Sequence, residues 1–231
     1  MARVLAVDER RLGGYCSFLL AVSLLVVTIT YALLPGRPSG PNAILELAST
    51  SPGWFRLLYG AFALGGLLGV AVVGPVTRLA GEDSAWLTWT SRLAYLAFAV
   101  TAVQGLRLAV LIPELGQLYH GCGQCSIDLA VQQTLARWLY VTLPLDPGYV
   151  VIFGLAGLWT LAVSLNAFAT RRVPPGIAYL GIALTAGYWL IVIGALAGAT
   201  GLFAFAAVVT GAFLGPFWYI WLGVLLTAHT R

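Results

Sequence analysis

The stretch His120-Gly121-Cys122-Gly123-Gln124-Cys125 is where residue types and spacing converge most clearly on chemistry. Cys122 and Cys125 form a C-x-x-C pair, and on an oxidising side of a membrane such thiols tend to close into a disulfide. The first use is a structural staple that tightens the loop carrying it. The second is a redox pair, because C-x-x-C spacing lowers thiol pKa and poises the bond for exchange with a quinone or a partner thiol. The third is a metal site, with His120 joining Cys122 and Cys125. That set offers three ligands where a structural zinc ion takes four, so no metal is expected. Failing all of these, the thiols stay unpaired. A thiol oxidoreductase that passes electrons onward needs a second, relaying pair. The remaining cysteine, Cys16, lies in the first apolar run and near the opposite membrane face. The staple therefore ranks first, no cofactor is expected, and quinone enters only with the redox reading.

A second set of chemical interest is Arg92, Gln104 and Arg107, which fall inside an apolar run. A charged side chain at membrane depth is costly and points to function. At about 100° per residue the two arginines lie about 60° apart around a helix, so both can face one cavity. Two guanidinium groups with no buried acid attract an anion such as a lipid phosphate. The plainer alternative, which ranks first, is snorkelling: Arg92 toward Glu82 or Asp83, and Arg107 toward Glu114.

The elements that position these residues follow from composition. The chain has 231 residues, 60% hydrophobic and 9% charged, against about 25% charged in a soluble domain. Apolar runs long enough to cross about 30 Å of hydrocarbon as helices recur along it, without the alternation of a membrane barrel. The expected fold is all-α: a polytopic membrane protein with six transmembrane helices, about 12–34, 57–79, 85–112, 149–169, 177–199 and 202–226, in one domain spanning 1–231. The first run is too long for a signal peptide and lacks a small-residue cleavage site. Pro113 is expected to end the third span. The polar stretch 113–147 then carries an amphipathic interfacial helix, with Ile127, Val131, Leu135, Trp138 and Leu139 on one side and Asp128, Gln132, Gln133 and Arg137 elsewhere. Gly215-Pro216 is expected to kink the sixth span. Gly65-x-x-x-Gly69, Gly194-x-x-x-Gly198 and Gly211-x-x-x-Gly215 mark close helix contacts, and Trp159, Asn166, Tyr188 and Trp189 read as polar glue between helices.

Several functions are excluded. Every basic residue is arginine, so there is no lysine for a Schiff base or a P-loop. No Asp or Glu falls well inside a span, which argues against a carboxylate proton relay. The two histidines, His120 and His229, fall at opposite faces, so they cannot hold one haem between them. No arginine-rich run tracks phosphates, which sets nucleic acid aside. The positive-inside rule puts Arg3, Arg10, Arg11, Arg78, Arg171, Arg172 and Arg231 on the cytoplasmic side against Arg37, Arg56 and Arg137 outside. The termini are then cytoplasmic and the loop 113–147 is outside or periplasmic.

Short phrases carry a resemblance. Arg11-Leu12-Gly13-Gly14-Tyr15, Asn42-Ala43-Ile44-Leu45, Phe55-Arg56-Leu57-Leu58-Tyr59, Gly154 to Trp159 and Val173-Pro174-Pro175-Gly176-Ile177-Ala178-Tyr179-Leu180-Gly181 resemble a bacterial six-span membrane family, the domain of unknown function four-three-eight-six. The resemblance covers most of the chain, leaves out the His-Gly-Cys-Gly-Gln-Cys loop, and implies no activity. The resulting expectation is an inner-membrane accessory subunit or lipid-associated scaffold, leaning away from an enzyme, with membrane lipids and other membrane subunits as partners. A thiol-redox protein and a transporter with an arginine-lined cavity are the alternatives.

Overall fold

A computed structural model describes residues 2–36, 40–81, 84–121, 128–171 and 173–228, with side chains from Glu9 onward. It is 89% helical, with no strand among the described residues. The helices are α1 (Ala2–Ala32), α2 (Gly40–Thr50), α3 (Pro52–Ala80), α4 (Ala85–His120) and α5 (Leu129–Thr142), then α6 (Val150–Thr170), α7 (Pro175–Leu196) and α8 (Thr200–Ala228). Six of them, α3, α4, α6, α7, α8 and the Glu9–Ala32 part of α1, are long and apolar enough to cross a membrane. Helix is the natural outcome for such runs, because in lipid every backbone polar group must be satisfied within the segment.

The main core lies among the spans. Trp159 and Trp218 are wholly buried at its centre, 5.9 Å apart and edge to face. Trp159 also meets the Phe98 ring at 6.1 Å and donates its indole N–H to Thr77 Oγ1 at 3.1 Å. Asn166 Nδ2 donates to the Ala80 carbonyl at 2.8 Å. The polar glue expected at Trp159 and Asn166 thus fastens α6 to α3. Thr77→Val keeps the shape at position 77 but strands the indole donor. It is expected to cost about 1–3 kcal/mol, which thermal unfolding in detergent measures.

The largest departure from the expected spans is α4. Pro113 does not end it; the helix runs on to His120. Proline removes one donor from the ladder, but packing on the outer end of α4 holds the helix together. Ile112 and Leu115 are buried with Leu45 and Ala48 of α2, Phe55 of α3 and Ala136 of α5 in a second core. Gly116 permits this approach, since a Cβ there would sit 2.6 Å from the Ser49 backbone nitrogen of α2. At about 1.5 Å per residue α4 is about 54 Å long, some 24 Å more than the hydrocarbon it crosses. Its outer end is a post around which α2 and α5 form a cap.

The amphipathic helix expected between spans three and four is α5. Gln132 and Ala136 turn inward, while Val131, Leu135 and Trp138 are exposed, so much of the apolar stripe faces away from the protein. Arg137 lies with its guanidinium carbon 5.5 Å from the centre of the Tyr119 ring, a cation–π contact between α5 and the post.

Two spans contain π-helical turns: Val150–Leu155 opens α6, and Thr210–Leu214 interrupts α8. The second lies where Gly215-Pro216 is expected to kink the span. Pro216 brings no N–H to the ladder, and the Gly215 N–H reaches back five residues to the Thr210 carbonyl. Such bulges concentrate at functional sites, and both of these face the same cleft.

Candidate functional site

Cys122 and Cys125 lie outside the described residues, as do Glu82 and Asp83. His120 is the exposed last residue of α4, and no group of three or more His, Cys, Asp or Glu among the described residues could hold a metal ion. The structure does not bring Arg92, Gln104 and Arg107 together. Both arginines are exposed while Gln104 is 1% exposed. Their separation along α4 is about 22 Å, which outward-reaching side chains extend toward the ~30 Å of a hydrocarbon layer. Arg56 of α3 is also exposed and stands near the height of Arg107, because Gly105 packs against the Tyr59 carbonyl. These placements suit headgroup anchors. Arg92→Gln and Arg107→Gln are each expected to move stability by less than about 1 kcal/mol, as read by thermal unfolding.

Gln104 instead belongs to a buried latch. Its side-chain carbonyl oxygen accepts the Asp146 backbone N–H at 3.0 Å. Asp146, 6% exposed, turns its carboxylate onto the start of α6, where Oδ1 accepts the Val150 N–H at 3.0 Å and Oδ2 the Ile152 N–H at 2.8 Å. The first N–H groups of a helix have no partner within it, and a negative charge there also meets the positive end of the helix dipole. The chain turns through Tyr149 in the left-handed region, φ 55°, with its N–H on the Asp146 carbonyl at 3.1 Å. In sequence, Pro144-Leu145-Asp146-Pro147-Gly148 reads as a break after the amphipathic helix. The available signal was an Asp a few residues before an apolar run, a helix-start pattern.

The latch fixes the outer end of a cleft between α1 and α3 on one side and α6, α7 and α8 on the other. Three adjoining cavities compose it, about 140 Å³ at the outer end and about 90 Å³ and 40 Å³ deeper. All three share Val27, Phe62 and Phe153, so they adjoin around the same side chains. Phe153, on the π turn of α6, is their hub: ring centres of Tyr149, Tyr188 and Phe62 lie 5.7, 5.5 and 6.4 Å away. Tyr149 also stacks at 5.4 Å on Phe203 of α8. From Leu20 to Tyr31 along α1 the cleft is about 16 Å deep, roughly half the hydrocarbon thickness.

No charged residue among the described residues lines these cavities. The outer one is bordered by Gln104 and by Tyr31, Tyr59 and Tyr149. Burial, with smaller contributions from Tyr140, Tyr31 and Asp146, pushes the Tyr149 phenol up to about 12. It is therefore a neutral hydroxyl throughout the physiological range. Burial likewise raises Tyr140. Tyr188, read from sequence as helix glue, lines the inner cavities beside Tyr219 of α8. Such a space can hold an apolar chain and hydrogen-bond a polar group at its outer mouth. It contains no acid–base pair or nucleophile set for bond-breaking. No family model, curated protein or solved structure matches the chain, so the cleft is interpreted from its own geometry.

Proposed function

We propose that this chain is a cell-membrane protein that holds a lipid-class molecule in its aromatic cleft without transforming it, acting as a lipid-associated scaffold or accessory subunit. The observation that carries this is the row of adjoining cavities around Phe153, with no charged residue among their described lining and about one leaflet deep in all. An aromatic wall supplies large apolar contact area with little side-chain entropy to lose. In this reading the termini are cytoplasmic, following the arginine distribution, the cap of α2 and α5 lies outside, and Cys122–Cys125 is a staple of the outer loop. The exposed arginines give no support to an arginine-lined transport path.

Ala207 lines the two outer cavities, so Ala207→Phe fills them with little change to the walls. Native mass spectrometry of protein released from membranes is expected to show retained lipid adducts on the wild type. Those adducts should fall at least about fivefold on Ala207→Phe, an aromatic side chain being large enough to occupy the space. Equal adducts on both would place the lipid elsewhere and remove the proposal.

A further inference from the structure

We infer that the cleft selects a neutral-headed amphiphile, an apolar chain ending in carbonyl or hydroxyl groups, whose head is held by the Gln104 amide nitrogen and the Tyr59 and Tyr149 hydroxyls. This inference rests on the lipid-binding function proposed above and specifies its ligand. The orientation of the Gln104 amide is fixed by the latch: its oxygen faces the Asp146 N–H at 3.0 Å, so its NH₂ group is the end left over. No described residue hydrogen-bonds that nitrogen, and Gln104 lines the outer cavity. A ligand acceptor placed there gains a hydrogen bond. Tyr59 and Tyr149 line the same cavity. The cluster thus offers both donors and acceptors, as hydroxyls and carbonyls require.

The same geometry disfavours an anionic head. No arginine among the described residues lines the cavities, and the Asp146 carboxylate stands close enough to act on Tyr149. A phosphate there would lose its hydration without gaining a cation. The unpartnered hydroxyls at the deep end, Thr210 and Tyr219, line the inner cavities but are themselves occluded, so they are not presented to a head. The Thr210 hydroxyl, buried and without a partner, lies against Gly187. The Tyr219 hydroxyl is turned toward that of Tyr188 without completing good hydrogen-bond geometry.

The test compares three probes on full-length, delipidated protein in detergent: a diacylglycerol, the phosphatidate with the same two acyl chains, and a benzoquinone with an isoprenoid tail. Native mass spectrometry reads the bound fractions for wild type, Ala207→Phe, Tyr59→Phe and Tyr149→Phe. The expected result is that diacylglycerol or the quinone binds at least about tenfold more tightly than phosphatidate, and that each Tyr→Phe change weakens the neutral probe about three- to tenfold while leaving phosphatidate unchanged. The better of the two neutral probes then distinguishes a glycerolipid from a quinone source. Phosphatidate binding equally or more tightly overturns the inference but leaves lipid binding intact, provided Ala207→Phe still blocks it. Neutral preference that survives both Tyr→Phe changes also overturns it, because selection then arises elsewhere. If no probe binds, or Ala207→Phe changes nothing, the lipid-binding function itself fails.

Discussion

Asp146→Ala is expected to lower the unfolding midpoint by about 6–12 °C. The carboxylate accepts two backbone N–H groups at the start of α6, and bonds to a charged acceptor are worth about 1.5–3 kcal/mol each. With partial replacement by water at the helix end, a net loss of about 3 kcal/mol is reasonable. A chain of this size shifts about 2–4 °C per kcal/mol. Asp146→Asn keeps one acceptor and turns an NH₂ toward the other donor, so its shift is expected to fall between wild type and alanine. Asp128 supplies the comparison, since it caps α5 with one bond to the Ala130 N–H at 2.8 Å but at an exposed site. Asp128→Ala is expected to cost about 1 kcal/mol or less. Differential scanning fluorimetry in one detergent measures all three, and equal shifts at positions 128 and 146 would show that burial adds nothing to the latch. The alanine variant should also weaken lipid retention beyond its effect on stability, because the latch sets the turn that places Tyr149 and Phe153.

The six spans and the helix between the third and fourth of them were legible because they rest on local information: run length, apolar period and the proline and glycine punctuation between runs. What stayed hidden depends on partners distant in sequence. Pro113 reads as a stop when only its missing N–H is considered, and the packing of Ser49 and Ala136 against the post cannot be seen from position 113. Gln104 was singled out with Arg92 and Arg107 because all three are polar in one run. Their burial differs because Gln104 alone meets Asp146, forty-two residues further on. The cleft was the least legible feature. A cavity consists of contacts not made, here between α1 and the start of α6, and no periodicity records an absence. The aromatic residues around it read equally well as core, and only their placement around Phe153 distinguishes a lined space from a filled one.

Gly105→Leu is expected to prevent a stable fold, and even Gly105→Ala to cost several kcal/mol. A Cβ built on Gly105 falls 2.6 Å from the Ala63 nitrogen, 2.8 Å from the Ala63 Cα and 2.8 Å from the Tyr59 carbonyl. All three are backbone atoms of α3, so no side chain can rotate out of the way and the two helices must separate. Overpacking a core costs about 1–3 kcal/mol when side chains can give; losses above about 4 kcal/mol are expected when they cannot. The glycine pattern on α3 is matched, since an added Cβ at Gly69 would strike the Phe98 ring and one at the neighbouring Gly66 the α4 backbone; Gly105 makes the reciprocal approach from α4, within Thr101-x-x-x-Gly105-x-x-x-Ala109. Gly60 is the internal control on the same α3 helix, since its added Cβ would meet nothing within 4 Å. Gly60→Leu is expected to stay within about 0.5 kcal/mol of wild type. The readouts are the yield of monodisperse protein and its unfolding midpoint. If Gly105→Ala matches Gly60→Leu in both, α3 and α4 do not pack at this distance. Because Gln104 precedes Gly105 on the same helix, any Gly105 variant that still folds should also displace the polar end of the cleft and weaken the neutral lipid more than the anionic one.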